Sequence, residues 1–289
     1  MNENNIALLN KHKDILSFRD LAASTVATYV SYMTSYILWV ETGLPGKPLA
    51  DVTWEEIRSY VHYLRDVRGL NPRTVNVHIS QLRDFYYYVL KKDWDKREIP
   101  LLHFDEHLPV VPTRDEIQTI IASIHNPKHK AEIALLYSSG IRVSELCRLH
   151  CGDIIRSKNC IYISRSKNRS DRYAVLSERA FEDLVSYVRA CHISDKESWL
   201  FPGQKDGAHI CCQSVANVFK KQLLLAGFGE KGLNLHSLRH AFGLHLYESG
   251  ADIMSIKEAM GHKSLKSTAI YLTLGIGNGR SVKSPYDFD

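Results

Sequence analysis

Within the 36 residues from His236 to Tyr271 the chain carries His236-Ser-Leu-Arg239, then Gly261-His262, then Tyr271 nine residues on. A guanidinium donates paired hydrogen bonds to phosphate oxygens, an imidazole moves protons near neutral pH, and a phenol can serve as a covalent nucleophile. Together these groups suit chemistry on a phosphodiester. Each alone has a plainer reading. His262 after a glycine can cap a helix, Tyr271 is one of 15 tyrosines that mostly supply core or surface aromatics, and His240 beside Arg239 reads as a packed structural residue outside the reactive set.

The elements that must position these groups are mostly helical. Apolar residues at Val26, Tyr29, Val30, Met33, Tyr36, Ile37 and Val40 follow three-four spacing and predict a helix over 24–41, read as the first of its unit. Thr53-Trp-Glu-Glu56 is a capping box opening a helix to about Asp66, and Gly69-Leu-Asn-Pro72 breaks the chain. A further helix is expected over 73–92, with apolar contacts at Val77, Leu82, Phe85, Tyr86 and Leu90. On it Arg73, Asn76, His78, Gln81 and Arg83 are polar groups that either meet DNA or coat a solvated face.

From Lys92 to Pro112 periodicity fades, and Pro100, Pro109 and Pro112 favour an extended path, the signature of a linker. Three parts are therefore expected: a helical unit over 1–95, a linker over 96–112, and a second unit over 113–289. Thr113-Arg-Asp-Glu116 is a second capping box, and a helix over 130–139 ends at Gly140. Short β-rich runs at 159–164 and 173–176 flank the polar loop 165–172, a hairpin pattern. Helical patterns return at about 177–191, 211–226, 237–249, 252–260 and 264–272. The last residues, 272–289, read as a tail too short for another domain, in which Tyr286 and Phe288 are candidate anchors on a neighbouring protomer.

A length of 289 residues leaves room for two cores, and 44% hydrophobic with 24% charged residues is ordinary for a folded soluble chain. No apolar run is long enough to span a bilayer and no basic-apolar-small leader stands at Met1, which predicts a cytoplasmic protein with no membrane partner. The six cysteines show no framework spacing and are expected to be reduced. Neither Cys191-His192 nor the stretch from His209 to Cys212 has the paired ligands of a structural zinc site, so no metal is expected. Of the net charge of +5, residues 1–112 contribute 13 Lys/Arg against 14 Asp/Glu, and the remainder 24 against 18. The basic second unit fits a polyanion.

Five separated pieces, Arg142 in Gly-Ile-Arg-Val-Ser-Glu-Leu, Lys167 in the hairpin loop, His236-Ser-Leu-Arg239-His, Gly261-His262 and Tyr271, occur in the order and spacing of tyrosine recombinases. The chain resembles that family, with a size and layout similar to its compact Xer-type members. Lys167 is placed by lying nine residues before Leu176, which aligns with the leucine closing the family's hairpin, although Ser-Lys-Asn replaces the usual Gly-Lys-Gly. The resemblance implies a mainly α fold with a small β-sheet in the catalytic domain: a helical, SAM-like core-binding domain followed by a mixed α+β tyrosine-recombinase domain.

By the same resemblance Arg142 and Arg239 would clamp the scissile phosphate. Tyr271 would attack the phosphorus and leave a 3′-phosphotyrosyl bond, and Lys167 would protonate the departing 5′ oxygen. Proton handling would be shared with His236 and His262, Glu145 would support Arg142, and no cofactor would be needed. The implied partner is double-stranded DNA with inverted half-sites, bound by a homotetramer that admits a related recombinase or accessory protein. The implied role is Xer-like, or that of a mobile-element integrase or resolvase. Two other readings use the same residues: a type IB topoisomerase-like nicking-closing enzyme, and a site-specific DNA-binding protein whose catalysis has decayed.

Overall fold

Thr53 and Glu56 form the expected reciprocal cap, the Thr53 hydroxyl accepting the Glu56 amide and the Glu56 carboxylate accepting the Thr53 amide, and so open α3, Trp54–His62. The computed structural model describes residues 1–105, 107–164, 171–193 and 195–277. The chain divides into two compact units, Met1–Glu106 and His107–Asp289.

In the first unit α3 is preceded by α1, Glu3–Phe18, and α2, Ala23–Gly43, and followed by α4, Pro72–Phe85, whose final turns widen as far as Leu90. The helix predicted over 24–41 is therefore the second of its unit. Asn71 caps α4 and Pro72 occupies the first helical turn, where a missing N–H costs nothing. The α4 core face is Val75, Ile79, Leu82, Phe85 and Tyr86, with Val89 beyond it; Val77 and Leu90 are only partly buried. Against that face pack Met33, Tyr36, Ile37 and Val40 of α2 and Ile57 and Tyr60 of α3. The Tyr36 and Tyr86 hydroxyls meet at 2.7 Å in this interior, so each satisfies the other's polar end. Ile99 is buried in the same core and the backbone of Leu102 bonds Asn76, which makes the start of the expected 96–112 linker part of the first unit.

The second unit opens with α5, Arg114–Ala122, behind the Thr113–Glu116 capping box. It continues through α6, Pro127–Ser139, and α7, Val143–Leu146. A three-stranded antiparallel sheet of β1, Ile154–Ile155, β2, Cys160–Ile163, and β3, Arg172–Val175, follows in that order, with Ile161 opposite Ala174. Then come α8, Glu178–Ala190; α9, Cys212–Leu225; α10, Leu235–Glu248; α11, Ile253–Met260; and α12, Lys266–Gly277. The expected tail from 272 begins inside α12, because Leu274 still packs on a hydrophobic cluster.

The main core of this unit is built on α6, which is buried almost all round from Ala131 to Leu136 and meets Ile161, Leu184, Tyr187, Phe219 and Leu238. Each such aliphatic side chain contributes roughly 1.5–3 kcal/mol by leaving water. A smaller cluster of Phe242, Leu244, Ile256, Met260 and Tyr271 joins α10, α11 and α12. These two cores hold α7, β3 and the three last helices, which carry Arg142, Glu145, His236, Arg239 and Tyr271 on or next to them.

Candidate active site

Arg142 stands at the N-terminus of α7, where the α6 helix ends in Gly140 at φ +61°. A side chain could not take that conformation cheaply, and the Phe242 ring fills the place a Cβ would occupy. Three residues on, the Glu145 carboxylate reaches back. It accepts the Arg142 amide at 2.8 Å and the Arg142 Nη1 at 2.9 Å. The same carboxylate accepts Nη2 of Arg172, the first residue of β3, at 2.7 Å. Glu145 is buried, so one shielded carboxylate orients two guanidiniums.

Arg239 lies in the second turn of α10 and is 2% exposed. It donates Nη1 to the carbonyl of Gly140 and Nη2 to the carbonyl of Met260, at the C-terminal ends of α6 and α11. Helix C-termini are negative, which steadies a cation there. Burial foremost, and then Arg142, still push Arg239 down to about 10, which leaves it charged at neutral pH. Arg172 is lowered as well, by burial first, and its Nε is buried with no hydrogen-bond partner among the described residues. Three guanidiniums thus lie together, two of them paired with the one carboxylate of Glu145, and the surplus positive charge is a site built to receive an anion.

The imidazoles surround that charge. Asn234 caps α10 by accepting the amides of His236 and Ser237, which puts the exposed His236 side chain at the mouth of the cluster. Its pKa is lowered by lost hydration and then by Arg239 and Arg142. His262 follows Gly261, which ends α11 at φ +63° and whose missing side chain leaves room for Arg172. His262 Nδ1 lies 3.0 Å from the hydroxyl of Thr268, itself buried in α12, and burial first, then Arg239 and Arg142, bring it to about 4. Both imidazoles are therefore neutral at pH 7 and able to donate or accept one hydrogen bond each.

Tyr271, one turn further along α12 from Thr268, is 1% exposed and packs beside Met260 and Gly243. Burial raises its phenol to about 12, opposed by Arg239. Its hydroxyl stands 3.4 Å from Nδ1 of His240, whose ring meets His236 edge to face with centroids 4.5 Å apart.

The fold therefore brings Arg142, Glu145, His236, Arg239, His262 and Tyr271 into one cluster, while Lys167 lies outside the described residues, as do Tyr286 and Phe288. Sequence reasoning passed over two members. Arg172 was hidden among the basic residues near the loop, and His240 was set aside as packed, although its place four residues after His236 puts both on one face of a helix. The α4 candidates separate. His78 is buried and stacks on Tyr32 at 3.9 Å, Gln81 is buried, and the Asn76 amide is spent on the backbone of Leu102 at 2.9 and 2.7 Å. His78 and Gln81 therefore neither face DNA nor coat a solvated face, because both side chains are buried inside the unit, and Asn76 is held by its bonds to Leu102. Arg73 is exposed and Arg83 partly so.

This constellation of paired arginines, histidines and a tyrosine on an α+β frame defines a protein that handles phosphodiesters. Residues 111–275 match the Phage integrase family and residues 8–96 the Phage integrase N-terminal SAM-like domain; the chain belongs to that family and is a site-specific tyrosine recombinase. It is 34% identical over 234 residues to "Putative integrase/recombinase y4eF" of Sinorhizobium fredii, covering 81% of this chain and 92% of the relative. To tyrosine recombinase XerD of Rickettsia bellii it is 31% identical, covering 78% and 80%. Its fold matches XerH in a post-cleavage complex with a palindromic difH substrate, with TM-score 0.73, 18% identity and coverage of 96% and 87%. A lambda integrase dimer bound to a COC′ core site matches with TM-score 0.72, 19% identity and coverage of 96% and 79%. No described helix is long and apolar enough to cross a membrane.

Proposed function

We propose that the chain cuts and rejoins DNA strands through a 3′-phosphotyrosyl intermediate on Tyr271. The observation that carries this reading is the excess of guanidinium at the site: Arg142, Arg172 and Arg239 lie together, and the Glu145 carboxylate pairs with Arg142 and Arg172. A scissile phosphate supplies the missing negative charge, and its oxygens gain more charge as phosphorus becomes five-coordinate. Arg142 and Arg239 clamp those oxygens, His236 and His262 hydrogen-bond them, and Glu145 keeps Arg142 aimed. Tyr271 then attacks and the 5′ oxygen leaves with a proton from Lys167. The phosphotyrosyl bond keeps the energy of the broken linkage for rejoining to another strand. Because Tyr271 is buried, cleavage requires α12 to uncover its phenol.

The first unit grips DNA through Arg73 and Arg83, and the two units act as separate modules joined by a linker. Four protomers assemble on two sites made of inverted half-sites, and the assembly admits a related recombinase or accessory protein. The work is that of a Xer-like enzyme or a mobile-element integrase or resolvase in the cytoplasm. The solved relatives carry DNA in their complexes, which supports DNA as the substrate here.

Nicked suicide duplexes test this. Wild type should yield a covalent protein–DNA band on a denaturing gel and Tyr271→Phe should not; an adduct with both proteins would reject Tyr271 as the nucleophile. Plasmid relaxation independent of sequence, without recombinant products, would favour the topoisomerase reading.

A further inference from the structure

We propose that His240 is the catalytic base that takes the phenolic proton of Tyr271 during strand cleavage, an inference that rests on the assignment of Tyr271 as nucleophile. At pH 7 a phenol held at about 12 is ionised to only about one part in 100,000, so attack needs an acceptor in contact with the hydroxyl. The ring nitrogen facing that hydroxyl is His240 Nδ1, at 3.4 Å, a separation common for catalytic hydrogen bonds before substrate tightens them. The other two imidazoles are placed differently. His262 Nδ1 is engaged by Thr268 at 3.0 Å, and His236 is at the exposed mouth, edge to face with His240.

His240 also stays with the reaction when α12 moves. It is the neighbour of Arg239 and lies one turn after His236, so it belongs to the helix that holds the phosphate. The groups that face His240 are His236 and Arg239 on its own helix, Tyr271 on α12, and His262 between α11 and α12. Burial first, then His236 and Arg239, keep its imidazole neutral, down to about 4, which leaves a lone pair free on Nδ1 when Nε2 carries the proton.

The step balances within the site. The Tyr271 Oη–H bond breaks and its proton passes to His240 Nδ1, while the oxygen's electron pair forms the bond to phosphorus. The P–O5′ bond breaks, its pair goes to the 5′ oxygen, and that oxygen takes the proton supplied by Lys167. On rejoining, the imidazolium returns its proton to the phenol.

Two suicide duplexes decide the matter, one with the normal 5′ oxygen at the scissile phosphate and one with 5′-bridging sulfur, whose thiolate leaves without an acid. His240→Asn, which can accept a hydrogen bond but not a proton, should form adduct about 100-fold more slowly than wild type on both duplexes while binding DNA normally. Lys167→Ala should lose most of its defect on the sulfur duplex. The proposal is overturned if His240→Asn cleaves within about threefold of wild type, or if sulfur restores it. His240→Gln runs in the same arms, so that whichever variant folds gives the answer. Tyr271→Phe separates the two claims. If it still forms adduct, the nucleophile assignment fails; if it is inactive while His240→Asn is fully active, only the role of His240 fails.

Discussion

Removing the Glu145 carboxylate should loosen the second unit and misaim Arg142 at once. Glu145→Ala takes away the acceptor for the Arg142 amide, for Arg142 Nη1 and for Arg172 Nη2. Leaving a buried charge unpaired costs about 3–5 kcal/mol. The Arg172 side chain is 12% exposed and Arg142 22%, so Arg142 regains some hydration. That places the loss near the lower end, about 3 kcal/mol. For a unit of this size it corresponds to a fall in Tm of about 6–12 °C, read by circular dichroism. Glu145→Gln keeps one acceptor and should lose about half as much. Sulfate should stabilise Glu145→Ala more than wild type, since an anion between the arginines does part of the carboxylate's work. Single-turnover cleavage should fall by up to about 100-fold, the cost of a guanidinium displaced by about an ångström. A Tm change under about 2 °C, no differential effect of sulfate and unaltered cleavage would refute the idea that this carboxylate ties the site together.

Acid should weaken the first unit through His12, which is 1% exposed, has no hydrogen-bond partner at either ring nitrogen among the described residues, and is lowered to about 4 by burial. Its stabilising effect is complete above about pH 6.5 and falls away toward pH 4, by about 3 kcal/mol, so urea melts of His12→Leu should show a shallower loss across that window. Glu132 carries the opposite sign: fully buried with no hydrogen-bond partner among the described residues, it is raised to about 7 by burial. Its effect is complete below pH 4.5 and roughly 3 kcal/mol is lost by pH 7, so Glu132→Met should melt higher than wild type at pH 8. In mobility-shift titrations, Arg73→Ala and Arg83→Ala should each lower the salt dependence of DNA binding by about one phosphate contact. Asn76→Ala should leave that slope alone and reduce stability, because its amide holds Leu102.

Sequence made the frame legible wherever local chemistry decides structure. The Thr53 and Thr113 capping boxes, the Gly140 helix end and the pairing of Glu145 with Arg142 all rest on contacts within four residues. What escaped depends on contacts between distant segments. Helix α1 buries Asn5 and His12 beside Leu9 and Leu16, so its inner face carries no clean apolar stripe. His78 and Gln81 look like surface groups in the sequence, yet α2 and the aromatic ring of Tyr32 cover that side of α4. The two-residue strand β1 is too short to leave a pattern, and α12 runs on because Leu274 finds partners on α10 and α11. The contact of His240 is hidden for the same reason, since it is with a phenol 31 residues away.

The most direct test of the central claim is chemical mapping of the covalent adduct. Wild-type protein trapped on a suicide duplex is digested with trypsin and nuclease, and the nucleotide-bearing peptide is sequenced by mass spectrometry. The account predicts one modified peptide, residues 267–280, with a phosphate on Tyr271 bonded to a 3′ oxygen and a free 5′ hydroxyl on the released strand. A nucleotide on any other side chain, or a bond to the 5′ end, would contradict it.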